Sequence, residues 1–205
     1  MKNVFNLILF VSISALLSSC VLEQNIHFNK DLSGNYNLKL DMSSFMAMAG
    51  DSAQTDETQI SAEDFKEMED NIRGVDGISQ LKSTAEEGVY TLEYKFKDVE
   101  SLTKAGTQNT SETGGAMQFS RKGNNLVLDM KPPAKGEEEM SASDMESMEG
   151  MFTFKYSFSF DKPIAKLKSK TATLDKETNT VKFEFGLKEY FDPKTQWKTQ
   201  VIFKK

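Results

Sequence analysis

A single cysteine, a single histidine, four prolines and no excess of positive charge set the first limits on this 205-residue chain. One Cys excludes an intramolecular disulfide, a cysteine-based zinc site and a CxxC redox pair. One His excludes any centre that needs two imidazoles, the HExxH metalloproteases among them. With 25 Lys and Arg against 31 Asp and Glu, the net charge is −6. Such a balance offers no basic face for phosphates, so nucleic acid is not an expected partner. No metal or organic cofactor is expected either. Aromatics, by contrast, are plentiful. Fifteen Phe and five Tyr provide more apolar surface than a disordered chain carries.

The N-terminal segment has the parts of a secretory signal. Lys2 is its one charge, and an apolar run from Val4 to Leu17 follows, broken only by Asn6, Ser12 and Ser14. That run is shorter than the roughly 20 residues that span a bilayer. It ends in Leu17-Ser18-Ser19-Cys20, which resembles a bacterial lipobox. The resemblance implies a diacylglyceryl thioether on Cys20, cleavage just before it, and a signal peptide over residues 1–19. Small residues at 18 and 19 let the enzymes reach the thiol, and Leu17 fills an apolar pocket. Residues 20–205 are then a single α+β domain tethered to the cell envelope, because two or three acyl chains hold a protein far better than one. Val21 and Leu22 follow the cysteine, without the Asp that marks inner-membrane retention in the enterobacterial pattern. Outer-membrane anchoring facing the periplasm is the expected location.

Beyond Cys20 the dominant signal is period-two alternation. Tyr36, Leu38, Leu40 and Met42 alternate with polar residues. So do Tyr90, Leu92, Tyr94 and Phe96; Phe152, Phe154, Tyr156, Phe158 and Phe160; and Val181, Phe183 and Phe185. Trp197, Thr199, Val201 and Phe203 form a weaker last strand. One apolar and one polar face per strand predicts antiparallel sheet, wet on one side. Polar turns separate the strands at Asn29–Gly34, Glu86–Gly88, Lys122–Asn125 and Asp175–Thr180. Two helices are expected. Ser61 and Asp64 approximate a capping box before the stripe Ala62, Phe65, Met68 and Ile72, and Asp98 can cap Val99 to Ala105. The expected fold is α+β, an antiparallel amphipathic sheet with two or three short helices packed on its apolar face. Tyr36, Leu38, Leu92, Phe154, Phe158 and Phe183 should face the core, under helix 61–72.

The hairpin at the start of the domain is similar to the LppM-like lipoprotein domain. The resemblance is carried by Cys20, an amphipathic strand, the turn Lys30-Asp31-Leu32-Ser33-Gly34, a second strand and Asp41-Met42-Ser43-Ser44-Phe45. The strand Phe152–Phe160 followed by Asp161-Lys162-Pro163 adds to it. Leu32 stands where that family usually has Gly. The resemblance implies a lipoprotein without catalytic activity, of a class in which several members are thought to bind lipid-like ligands.

Candidate chemistry is sparse. Asn29, Asp31 and Ser33 begin like a calcium loop, but its twelfth position is Leu40, where a bidentate Glu is required. A hairpin turn is the better reading. His27 falls on the polar face of the first strand, and no Ser or Cys can be assigned to it from spacing. No two carboxylates are marked as a pair. Methionines cluster at Met46 and Met48 and again at Met140, Met145, Met148 and Met151. Three uses compete: flexible core packing, contact with an apolar ligand or partner, and soft Cu(I) ligation. Met145 and Met148 are the candidates for apolar contact. They lie in a segment, Glu137 to Met151, whose six acids face no Lys or Arg and keep it solvated. Asp51-Ser52-Ala53 resembles a short O-glycosylation acceptor. Three functions follow: a non-enzymatic lipoprotein that binds a lipid or other apolar ligand, a structural or assembly lipoprotein that binds a protein partner, and an enzyme. A large apolar hollow favours the first, a filled core with an open strand edge the second, and carboxylates converging in a cleft the third.

Overall fold

The computed structural model describes residues 20–43, 62–108, 117–130, 150–192 and 194–205. Eleven strands and three helices lie in these residues. In chain order they are β1 (Cys20–Phe28), β2 (Gly34–Asp41), α1 (Ala62–Arg73), β3 (Ile78–Glu86), β4 (Val89–Phe96), α2 (Val99–Gln108), β5 (Met117–Lys122) and β6 (Asn125–Met130). Then come β7 (Phe152–Phe160), β8 (Ile164–Lys168), β9 (Thr173–Asp175), β10 (Thr180–Gly186), α3 (Leu187–Phe191) and β11 (Thr199–Phe203). A seven-stranded sheet runs β3-β4-β2-β1-β7-β10-β9, and a four-stranded sheet runs β5-β6-β11-β8.

This corrects the α+β expectation. The described fold is mostly β, and the apolar face of the large sheet is covered mainly by the second sheet. Phe28 and Phe158 of the large sheet meet Phe119 of the small one, with ring centroids 5.9 and 6.0 Å apart. Phe160 meets Phe203 at 5.4 Å. The physical reason lies in the short strands β5, β6, β8 and β11, whose inward residues Phe119, Leu126, Leu128, Ile164, Val201 and Phe203 are all buried. The alternation shows β11 only weakly and does not show that these strands form a sheet, but together they make a second apolar plane. Helices fill in at the side. In α1, Ile72 is fully buried and Met68 partly so. In α2, Leu102 and Ala105 enter the core, Asp98 caps the helix through the Ser101 amide at 2.8 Å, and Thr103 accepts the Phe119 amide of β5 at 3.0 Å.

Antiparallel pairing also has an exception. The central strand β1 is antiparallel to β2 but parallel to β7. A parallel neighbour needs a long crossover, and the whole stretch from β2 to β7 serves as one. Register then stacks like on like across the inner face. Ile26 is opposite Tyr36 and Phe158, and Phe158 is opposite Val181. Leu22 is opposite Leu40 and Phe154, and Phe154 is opposite Phe185.

The two ends of this sandwich differ. At the Phe28 end, Asn124 Nδ2 donates to the Phe203 carbonyl at 2.9 Å and Asn179 Oδ1 accepts the Ile164 amide at 2.9 Å. There Phe28, Ile26 and Phe158 are sealed. The β1–β2 turn at this end closes on itself: the Asn29 amide donates to the Ser33 carbonyl at 2.8 Å, and Asp31 accepts the Ser33 amide at 3.0 Å. Gly34 is obligatory there, because a Cβ would lie 1.8 Å from the His27 carbonyl oxygen and 2.7 Å from the Phe96 ring. Towards Cys20, which is itself buried, the inner face is less covered: Leu22, Leu40, Tyr90, Phe152 and Phe154 are only partly buried.

Candidate functional site

The partly covered end of the inner face opens into a cleft of about 200 Å³. Its floor is the large sheet, with Leu22 and Gln24 from β1, Tyr36 and Leu38 from β2, Leu92 and Tyr94 from β4, and Phe154 and Tyr156 from β7. Its walls are Met68 of α1, Leu102 and Gly106 of α2, Met117 and Phe119 of β5, Met130 of β6 and Tyr190 of α3. Alternation puts each of the floor residues on one side of its strand, and register brings them together.

Aromatic stacking stiffens this lining. Tyr36 and Tyr94, opposite each other on β2 and β4, stack at 4.4 Å with an interplanar angle of 10°. Phe154 stacks on Tyr190 at 4.7 Å and on Phe185 at 5.4 Å. The three methionines add the opposite property, since unbranched thioethers adapt to the shape of whatever they touch. The polar groups are few: the Gln24 amide and several phenols. Burial pushes the Tyr36 and Tyr156 phenols far above their ordinary range. Tyr94 is raised as well, first by burial and then by the neighbouring Tyr36. These phenols therefore stay neutral and can only donate or accept hydrogen bonds. Such a lining suits an apolar body carrying a small uncharged polar group.

A larger hollow of about 390 Å³ lies at the opposite end, between the β1–β2 turn and Lys95 and Lys97. Its walls are polar and much of its hydrogen-bonding capacity is spent within the turn. For an apolar ligand the cleft is the better receptor. Among the described residues, no group of three or more His, Cys, Asp or Glu side chains is placed to hold a metal ion.

Cys20 is the first residue of β1 and is buried. Its amide donates to the Met151 carbonyl at 2.7 Å, and it shares the strand face of Leu22 and Gln24. Leu17, Ser18 and Ser19 lie outside the described residues, as do Met145 and Met148, Met46, Met48 and Met140, and the 51–53 acceptor. Met151 is described, and it is exposed rather than in the cleft. The methionines that line the cleft, Met68, Met117 and Met130, are different ones. Two of them could have been found: Met117 alternates with Phe119 along β5 and Leu128 with Met130 along β6, a pattern obscured by the brevity of both strands, and register sets Met117 opposite Met130.

His27 acquires neighbours that spacing could not reveal. The parallel pairing of β1 with β7 sets it against Ser159, and its Nδ1 lies 2.9 Å from the Ser159 hydroxyl. Its Nε2 is 3.3 Å from an Asp161 carboxylate oxygen. The side chains of His27 and Asp161 are 40% and 45% exposed on the wet face of the sheet, and none of the three residues borders the cleft. The trio is a solvated hydrogen-bond cluster.

Among the described residues, no helix is long and apolar enough to cross a membrane. No family model matches the chain, and no curated protein does. Among solved structures, the NMR structure of the folded domain of the Mycobacterium tuberculosis LppM protein is similar to it. The TM-score is 0.44 and the identity 11%, over 90% of this chain and 91% of that one.

Proposed function

We propose that this protein is a non-enzymatic lipoprotein of the bacterial cell envelope, anchored through Cys20, whose inter-sheet cleft binds a lipid or another apolar ligand. One observation carries the reading. The large sheet leaves an apolar, aromatic hollow open at one end while its other end is sealed. A filled core would have no such lining. The periplasmic face of the outer membrane is the proposed location, on the strength of the residues that follow Cys20.

The alternative, assembly on a protein partner through a strand edge, is less favoured by the edges themselves. β3 carries a bulge between Ser79 and Lys82, with Gln80 at φ 53°. β9 has three residues, β8 points Lys166 and Lys168 into solvent, and α2 packs beside β5. Bulges, short strands and lysines are the devices that discourage strand addition.

The test is binding of a fluorescent long-chain fatty acid to the detergent-purified full chain. The expected result is saturable binding that Met68→Trp or Leu22→Trp weakens by roughly tenfold, about 1.4 kcal/mol, by filling the hollow. Circular dichroism must show both variants folded. Equal binding by the wild type and by both folded variants would place the ligand elsewhere and end the cleft reading.

A further inference from the structure

We propose that the Cys20 end of the large sheet is a membrane-seating edge, in which Met151 and Phe191 enter the bilayer interface and hold the cleft mouth against it. The proposal rests on the anchoring role of Cys20 given above and adds how the domain stands on the membrane. Among the described residues, the large apolar side chains that are exposed are Met151, at 46%, and Phe191, at 40%. Met151 lies beside Cys20, and Phe191 reaches the same end of the sheet through a chain of ring contacts. The Met151 carbonyl accepts the Cys20 amide. The Phe191 ring is 5.2 Å from Tyr190, which stacks on Phe154, and Phe154 is opposite Leu22. This is also the end where the inner face loses its cover.

A bilayer is the occupant that fits. β1 begins at Cys20 itself, so no described linker separates the anchor from the fold, and this edge is held at the lipid surface. Apolar and aromatic side chains at such a boundary partition into the interface. Two isolated side chains fall far short of the area that a stable dimer buries. Lys188 and Lys194 balance Glu189 and Asp192 around Phe191, so the proposed seating is apolar and does not call for anionic lipid. A ligand would then reach the cleft from the membrane without crossing water.

The experiment uses the full chain, purified from bacterial membranes and reconstituted in phosphatidylcholine vesicles with a spin label on the upper acyl chain. Met151→Cys, Phe191→Cys and Lys30→Cys are each labelled with an environment-sensitive thiol probe, Lys30 being at the sealed end. Quenching at 151 and 191 should exceed that at 30 by roughly threefold or more. Equal quenching at all three positions, or concentration-dependent clustering of the 191 probe without lipid quenching, overturns the seating edge. Mass spectrometry of the same samples reads the Cys20 adduct. A lipidated Cys20 with no quenching contrast refutes the seating and leaves the anchor intact. A probe-labelled Cys20 refutes the anchor and, with it, the seating that rests on it.

Discussion

Leu32 shows two local forces opposed at one residue. Its φ is 70°, a left-handed conformation that costs an L residue about 1–2 kcal/mol. Its side chain is nonetheless buried in the core, which contributes about 1.5–3 kcal/mol. Burial should win narrowly. Leu32→Gly is expected to lower stability by about 1 kcal/mol, read as a shift in the urea midpoint; a stabilised variant would show that strain dominates. The cleft phenols make a second residue-scale prediction. Tyr36, Tyr94 and Tyr156 are raised above their unfolded value by burial. Their contribution to stability is fully present below about pH 10 and is lost as pH rises beyond it. Phenolate absorbance from these residues should therefore appear together with loss of near-ultraviolet circular dichroism. Ionisation of all five tyrosines before any unfolding would contradict the buried setting.

At the scale of elements, β7 shows why faces were easy to read and partners were not. Its alternation of Phe and Tyr with Ser, Thr and Lys defines an inner and an outer face from nine residues alone. Phe158 is fully buried between Phe119 and Phe183, while Ser157 faces out. Phe158→Ala should cost about 3–5 kcal/mol and Ser157→Ala less than about 0.5 kcal/mol. Urea denaturation of the two variants checks this, and comparable losses would overturn the face assignment. The neighbour of β7 was another matter. Its contacts with β1, such as Ser159 with His27, span 132 positions, and no local pattern encodes so distant a pairing. The second sheet was hidden for a related reason. β11 is legible as a weak last strand, but β8 and β11 have only five residues each, too few to mark out a second sheet, so the apolar face they cover reads as helix-covered. In the cleft, Tyr36, Leu38, Leu92 and Phe154 were legible as inward residues. That they form a hollow was not, because a void depends on what the opposite wall fails to fill.

For the molecule as a whole, the proposed anchor, Cys20, and part of the cleft floor, Leu22 and Gln24, belong to one strand. Cys20→Ser is expected to leave the chain uncleaved or to release it from the membrane fraction, as detected by fractionation and intact mass. A Cys20→Ser protein that still fractionates as cleaved and membrane-bound would remove the lipoprotein reading. The position of Cys20 has a mechanical consequence as well. β1 is central, hydrogen-bonded along its length to β2 on one side and β7 on the other. Tension on an attached lipid would pull along the strand axis, so that both ladders would have to shear together before β1 could leave the sheet. An anchor on an edge strand would peel away one hydrogen bond at a time. If the chain is anchored through Cys20 as proposed, a load applied there would reach the whole sheet at once.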